Sequence, residues 1–269
     1  RQGMTGTIRT TLGLYTQQGV ANLAERVIQS RPAPINAAII VVENKTRAIV
    51  AHVGNAAPLD MARYGYLNLT TASRSPGSTL KPLIYAKAFD ANLLHPKTVI
   101  SDHKTRFGGY TPRNFDRTER GLVTATQALR LSLNTPAIKV LDRLGPVRLF
   151  SGLQAVGVAL DLPDGEHRPS LAVGLGGIGV NLETLVRLYV GLASDGRYCT
   201  LVMEVGQIPD CPSGGGQMIS IQSRQWLRAI LMGAPRPVGW SANQGGQSSA
   251  TVAFKTGTSY GHRDTWAVG

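Results

Sequence analysis

The sequence predicts an α/β layered body with a helical insertion. β-branched, strand-like segments lie towards both ends of the chain, helical periodicity fills the middle, and no internal repeat or heptad pattern runs through it. A chain of 269 residues makes one large domain or two small ones, at about 150 residues per domain. Hydrophobic residues at 42% and charged residues at 16% are ordinary globular composition, which excludes a disordered or fibrous chain.

The elements follow in order. Residues 7–29 open with a short β-branched stretch and continue with Leu14, Val20, Leu23 and Val27 at helical spacing, a strand leading into an amphipathic helix. Pro32 and Pro34 break the chain, so residues 30–34 read as a linker. The apolar run 37–42, the turn residues Glu43-Asn44-Lys45-Thr46 and the β-branched run 47–53 make a β-hairpin, closed by Gly54 and Asn55. Residues 78–92 read as a helix with Leu80, Leu83, Ile84 and Ala88 on its apolar face, and the polar stretch 101–120 reads as a loop. Helical patterns return at 124–131, at 135–144 up to Gly145-Pro146, at 147–156, at 182–194 and at 223–232. The Gly-rich apolar stretch 171–180 predicts a tight approach of backbones rather than a nucleotide loop. A flexible Gly/Ser tract, 241–249, leads to strands at 251–258 and 265–268.

The longest apolar run has six residues, 37–42, where a membrane span needs about 20, so nothing here is expected to cross a bilayer. No signal peptide opens the chain, and it starts at Arg1 without an initiator methionine, which reads as a piece of something longer. Its formal net charge is +12, from 28 Lys+Arg against 16 Asp+Glu. That excess suggests a polyanionic partner: nucleic acid, an anionic membrane or an acidic polymer. Nucleic-acid binding calls for a basic stripe interleaved with aromatics. Aromatics are only 6% and the basic residues are dispersed, so no nucleic-acid partner is expected. Cys199 and Cys211 fit either two unrelated buried thiols or a loop-clamping disulfide, which requires an oxidising compartment. There is no C-x-x-C and the five histidines are scattered, so neither a metal nor a cofactor is expected.

The strongest chemical signal is Arg74-Ser75-Pro76-Gly77-Ser78-Thr79-Leu80-Lys81-Pro82. Pro76-Gly77 makes a sharp entry, and Pro82 is tolerated only near a first helical turn, which pins the helix start at about Ser78. Ser78 then lies among orphan N–H groups at the positive end of the helix dipole, with Lys81 on the same face. That is a nucleophile beside a base, provided the lysine is desolvated or next to another cation. The bland reading is a serine N-cap. Ser101-Asp102-His103-Lys104 also matches S-x-x-K, but it has no Pro-Gly entry and opens no apolar helix.

A second candidate is Ser132-Leu133-Asn134, whose polar side chains can point one way across an extended link, though both also suit helix caps. Ser241-Ala242-Asn243 has the same form within the Gly/Ser tract. The third is Phe254-Lys255-Thr256-Gly257-Thr258-Ser259, a cation, two hydroxyls and an approachable backbone at the end of a strand. These parts suit a carboxylate and an oxyanion; the bland reading is an exposed edge strand.

S-x-x-K, S-x-N and K-T-G, in that order, are the triple of serine penicillin-recognising enzymes. Leu133 in place of aspartate favours the penicillin-binding side over the β-lactamases. With residues 74–82, Phe107-Gly108-Gly109-Tyr110-Thr111-Pro112-Arg113-Asn114-Phe115-Asp116, Ser132 through Ala137, and 254–264 with Trp266, the chain resembles class A bifunctional penicillin-binding proteins of the 1C subtype, from about Thr7 onward. The resemblance implies a β-lactamase/transpeptidase-like fold. Such a fold has an antiparallel sheet of about five strands flanked by helices and an all-helical subdomain, with its last strand and C-terminal helix missing here. It implies a linker from an upstream glycosyltransferase domain over 1–34 and a transpeptidase domain over 35–269, with a helical insertion at about 90–215.

Function follows from the same resemblance. It implies a DD-transpeptidase that cross-links D-Ala-D-Ala stem peptides of peptidoglycan, built from a lipid-linked precursor, and that binds β-lactams covalently. It also implies a place on the periplasmic face of the inner membrane, anchored through an N-terminal segment of the parent protein. Ser78 is the implied nucleophile, Lys81 its base and Ser132 a proton relay. Asn134 holds substrate backbone, and Lys255 keeps Lys81 neutral through like-charge repulsion and helps to hold the substrate carboxylate, with Thr256 and Thr258 near it and Gly257 also on the substrate-binding strand. The N–H groups of Ser78 and Thr258 form the oxyanion hole. Tyr260, Gly261, Asp264, Phe115 and Asn114 are weaker candidates, with packing or support as the plainer roles. The rival readings are a DD-carboxypeptidase, a β-lactamase-like hydrolase and a non-catalytic penicillin sensor. Of the twelve excess charges, Lys81, Lys255 and Arg74 then belong to a site or its rim.

Overall fold

The computed structural model describes residues 6–158, 160–212, 217–236 and 252–269. In chain order it runs α1 (Leu14–Gln29), β1 (Ile39–Val42), β2 (Ile49–Val53), α2 (Lys81–Asp90), β3 (Val99–Ser101), β4 (Leu122–Thr124), α3 (Ala125–Arg130), α4 (Asn134–Leu144), α5 (Pro146–Ala155), α6 (Leu182–Ala193), α7 (Ile221–Met232), β5 (Lys255–Thr258) and β6 (Thr265–Val268). The chain divides into two compact units, Arg1–Ser73 with Asn181–Gly216, and Arg74–Val180 with Gln217–Gly269.

In the first unit β1 and β2 pair antiparallel, with Ile39 opposite Val53 and Val41 opposite Ala51. This is the hairpin the turn residues predict. Helix α1 packs on it, but on a different face from the one the large apolar residues mark. Ala24 and Ile28 are buried, with Val20 and Ala21 packed beside them against Val53 and Ala56. Leu14, Leu23 and Val27 are exposed. The small alanines let the helix axis come close to the strands, and closeness decides which face is inside. The strand expected before α1 is a single bridge, Thr10 to Glu204; Thr11 Oγ1 donates to the Ile49 carbonyl at 2.7 Å and so ties this segment to the hairpin by a side chain. Asn181 caps α6 by accepting from Thr184 N–H at 2.8 Å. Cys199 and Cys211 are joined in a disulfide, which resolves the choice their spacing leaves open.

The second unit is built around α2. Leu83, Ile84, Tyr85, Ala86 and Ala88 are all fully buried, so this helix is covered on every side rather than along one stripe. Helices α4 and α7 pack on it. Thr124 and Gln127 form a reciprocal capping box at the start of α3. β3 and β4 pair antiparallel across the 102–121 loop, adding a short ladder at the edges of a stretch that reads from sequence as loop alone. β5 and β6 pair antiparallel with Lys255 opposite Val268 and Gly257 opposite Trp266. Ladder hydrogen bonds among the described residues therefore form three two-stranded antiparallel pairs, each a local return of the chain, where one sheet of about five strands is expected. β5 spans only the last four residues of the expected strand 251–258. The Gly/Ser tract 241–249, including Ser241-Ala242-Asn243, lies outside the described residues.

Candidate active site

All the motif residues belong to the second unit. Ser78 sits in a 3-10 turn, Gly77–Leu80, that runs directly into α2 at Lys81. The α-helix thus starts three residues later than expected, with Pro82 in its first turn, and its cap position is Leu80. The Ser78 hydroxyl makes no hydrogen bond among the described residues and the residue is half-buried, so the hydroxyl is not spent as a cap; the Ser78 carbonyl accepts from the Lys81 N–H.

Backbone packing holds this turn. Gly77 has φ +53°, and a Cβ there would lie 2.5 Å from the Thr258 carbonyl oxygen and 2.7 Å from Thr258 N. A Cβ on Gly257 would lie 2.4 Å from the Pro76 carbonyl oxygen. Only glycine at both positions lets the serine turn and β5 meet main chain to main chain. The flanks are tied as well: Trp266 Nε1 donates to the Ser75 carbonyl at 2.8 Å. Ser75 Oγ donates to the Gly176 carbonyl at 2.7 Å, and a Cβ on Gly176 would lie 2.5 Å from Gly77 N, which is the tight backbone approach expected of 171–180.

Lys81 is completely buried. Its Nζ donates to the Ser132 carbonyl at 2.7 Å and to Asn134 Oδ1 at 2.6 Å. Two acceptors match the two N–H groups of a neutral amine, whose lone pair is then left over to take a proton. Burial first, and the charge of Lys255 second, hold this amine well below a lysine's ordinary value. Lys255 Nζ donates to Ser132 Oγ at 2.7 Å and to the Thr256 carbonyl at 2.6 Å. Burial pulls Lys255 down to about 8, which leaves it largely cationic at neutral pH.

Ser132 therefore serves both lysines, one through its carbonyl and the other through its hydroxyl. It does so in a left-handed conformation, φ +57°, which costs a non-glycine residue about 1–2 kcal/mol. Leu133 is extended and buried, and Asn134 opens α4. Asn134 Nδ2 donates to the Arg113 carbonyl at 2.6 Å, so its Oδ1 faces Lys81. Between these elements lies a cleft of about 420 Å³, whose lining includes Ser78, Ser132, Asn134, Phe115, Thr256 and Thr258.

S-x-x-K, S-x-N and K-T-G thus converge on one cleft. Thr256 and Thr258 project from the exposed face of β5, while Lys255 and Gly257 face inward. Asp264 approaches Arg74 at 3.8 Å at the rim. Phe115 and His262 stack edge to face at 5.5 Å. Tyr260 is 99% exposed, so it does not pack in a core; it projects from the β5–β6 turn. No cluster of His, Cys, Asp or Glu among the described residues is arranged to hold a metal ion.

Sequence reasoning misses Asp102. This residue is fully buried, accepts from Asn114 Nδ2 at 2.8 and 3.0 Å, and accepts from Arg120 N–H at 2.9 Å. It lies inside the S-x-x-K copy that has no helix to open, and no periodicity marks it. Its one signal is an aspartate directly after an apolar strand, Val99–Ser101.

The fold and the grouping of these side chains define a class, the mixed α/β fold of β-lactamases and transpeptidases. The chain matches PonA1 from Mycobacterium tuberculosis, solved with penicillin V, with a TM-score of 0.69 at 18% identity over 84% of this chain and 62% of that one. It matches the TP domain of penicillin-binding protein 3 from Burkholderia pseudomallei with a TM-score of 0.67 at 17% identity, over 86% and 71%. Residues 37–265 match the penicillin binding protein transpeptidase domain model, and the chain belongs to that family. It is 36% identical to penicillin-binding protein 1C of Escherichia coli (strain K12) over 97% of its own length, in keeping with the 1C resemblance of its motifs. It is 30% identical to penicillin-binding protein 1F of Bacillus subtilis (strain 168) over 86%. The chain spans 33% of the length of each of these two relatives.

Proposed function

We propose that residues 35–269 carry a serine-type D-Ala-D-Ala transpeptidase, and that residues 1–34 lead in from a peptidoglycan glycosyltransferase domain and a membrane anchor of a longer parent. The observation that carries the reading is Lys81: buried, held well below a lysine's ordinary value by burial and then by Lys255, and hydrogen-bonded to both polar residues of the S-x-N motif.

Ser78 Oγ attacks the carbonyl of the penultimate D-alanine of a stem peptide while its proton passes to Lys81. Burial lowers the barrier to this step by removing the cost of discharging the lysine in water. The tetrahedral oxyanion meets the N–H groups of Ser78 and Thr258, a role that the close backbone packing of Gly77 on Thr258 supports. Such a donor is worth about 10²–10³ in rate. Collapse breaks the C–N bond, and the proton travels from Lys81 through Ser132 to the departing amine of the terminal D-alanine. Lys255 holds the Ser132 oxygen as an acceptor, so the hydroxyl hydrogen is left to point at that amine. An amine of a neighbouring stem peptide then attacks the ester, its proton returns by the same route, and Ser78 leaves as the alcohol. Lys255, Thr256 and Thr258 bind the substrate carboxylate, Asn134 its backbone, and Gly257 keeps the strand close. A β-lactam enters as the donor, and its adduct persists because the leaving group stays attached.

The Cys199–Cys211 bond supports a place outside the cytoplasm, on the periplasmic face of the inner membrane. There the +12 charge faces an acidic wall polymer and an anionic membrane surface. The test is intact-mass spectrometry after incubation with a penicillin. Wild type should gain the mass of the drug and hold it, and Ser78→Ala should gain nothing. No adduct on wild type overturns the proposal, and an adduct that is lost within seconds points instead to a hydrolase.

A further inference from the structure

A polar chain runs from the 101–120 loop to the buried lysine, and each link fixes the polarity of the next. Asp102 offers only acceptors, so the Asn114 amide must turn its Nδ2 towards it, at 2.8 and 3.0 Å; the same Nδ2 meets the Thr118 carbonyl at 2.8 Å. That orientation leaves Asn114 Oδ1 facing the other way, where it accepts from the Asn134 backbone N–H at 2.7 Å. This N–H is one of the orphan donors at the start of α4, and its capture sets where the helix begins. Asn134 Oδ1 and the Ser132 carbonyl, the two acceptors of Lys81 Nζ, sit on that first turn and the residue preceding its cap. Asp102 is fully buried and Asn114 nearly so, at 7% exposure, so water cannot substitute for either partner.

We propose that Asp102 is a positioning residue for the acyl-transfer step, acting through Asn114 to hold the start of α4 and hence the acceptors that orient the Lys81 amine. The inference rests on Ser78 and Lys81 acting as proposed above. Asp102 touches no reacting atom. It also bonds Arg120 N–H and, through its own N–H, the Gly121 carbonyl, and so closes the base of the loop. The test must therefore separate positioning from mere folding.

A matched strain at the loop base provides that separation. Asp102→Asn is isosteric and keeps one oxygen for Asn114 Nδ2 and Arg120 N–H, but it sets an NH₂ where the second oxygen met Nδ2 at 3.0 Å, and a flipped Asn114 amide would set an NH₂ against the Asn134 N–H. Gly121→Ala is the control for folding alone: at φ +70°, with nothing within 4 Å of a new Cβ, it strains the loop base that the Asp102 N–H closes and leaves Asn114 untouched. The measurement is the rate of acylation by a fluorescent penicillin as a function of pH, with thermal melting alongside, on the 269-residue chain. Asp102→Asn should acylate about 10-fold or more slowly. Its rising pH limb should move to higher pH, because a loosened α4 start admits water to Lys81. Gly121→Ala should lose Tm while keeping the wild-type limb and, per folded molecule, the wild-type rate. A wild-type rate and limb in Asp102→Asn overturns the inference while leaving Ser78 and Lys81 untouched. So does a loss that matches the drop in folded fraction in both variants, with the limb unmoved. Failure of wild type to acylate would instead remove the reading on which the inference rests.

Discussion

Replacing Gly77 with alanine tests whether close packing of backbones builds the cleft. At φ +53° any side chain costs about 1–2 kcal/mol. The new Cβ would also lie 2.5 Å from the Thr258 carbonyl oxygen, so turn and strand must separate by about 0.5–0.9 Å to reach tolerable contact. Overpacking of this kind costs about 1–3 kcal/mol more. The total of about 2–5 kcal/mol corresponds to a fall in Tm of roughly 4–20 °C for a domain of this size. The displaced atoms are Thr258 and Ser78 themselves, and a misplacement approaching 1 Å costs about 100-fold in rate. Gly108 supplies the matched control. Its φ is +57°, but a Cβ there meets nothing within 4 Å, so Gly108→Ala pays the conformational cost alone. The assay is the second-order rate of acylation by a fluorescent penicillin, with melting by circular dichroism. If Gly77→Ala matches Gly108→Ala in both readouts, the contact between the serine turn and β5 does not build the site, and the reasoning fails.

Ser132→Gly should separate chemistry from stability in the opposite sense. Glycine relieves the left-handed strain at φ +57°, so Tm should hold or rise, while loss of the hydroxyl that accepts from Lys255 should cut acylation by about 100-fold or more. A variant that acylates at the wild-type rate would remove Ser132 from the proton path. The pH profile of acylation should be bell-shaped. The rate climbs as pH passes upward through the depressed ionisation of Lys81, and it falls above about 8 as Lys255 loses its proton and its hold on a carboxylate. Stopped-flow acylation from about pH 5 to about pH 10 checks this, and a flat profile across that range would refute a neutral Lys81 working beside a cationic Lys255.

Much of the site is legible in the sequence because its parts sit on local structure. Pro76-Gly77 and Pro82 bracket a helix start, and the structure puts Ser78 there, though in a 3-10 turn rather than as the cap. The hairpin at Glu43-Asn44-Lys45-Thr46 and the helices around Gly145-Pro146 are likewise written in turn and cap chemistry. What misleads is any pattern whose outcome depends on a distant neighbour. Leu14, Leu23 and Val27 look like the inner face of α1, yet the hairpin accepts the alanine side. Tyr260 looks like packing and is exposed.

The sequence by itself determined the order of the three motifs, the residue types that could act as nucleophile, base and carboxylate binder, and the family to which they point. Those are properties of short segments, set by backbone chemistry within a turn or two. Only the tertiary structure decided that Lys81 is fully buried, that Ser132 turns left-handed to serve two lysines, and that Asp102 lies at the root of the chain of hydrogen bonds. Burial and hydrogen-bond polarity belong to pairs of segments far apart in sequence. A lysine's charge state is therefore fixed not by its neighbours along the chain but by what folds over it.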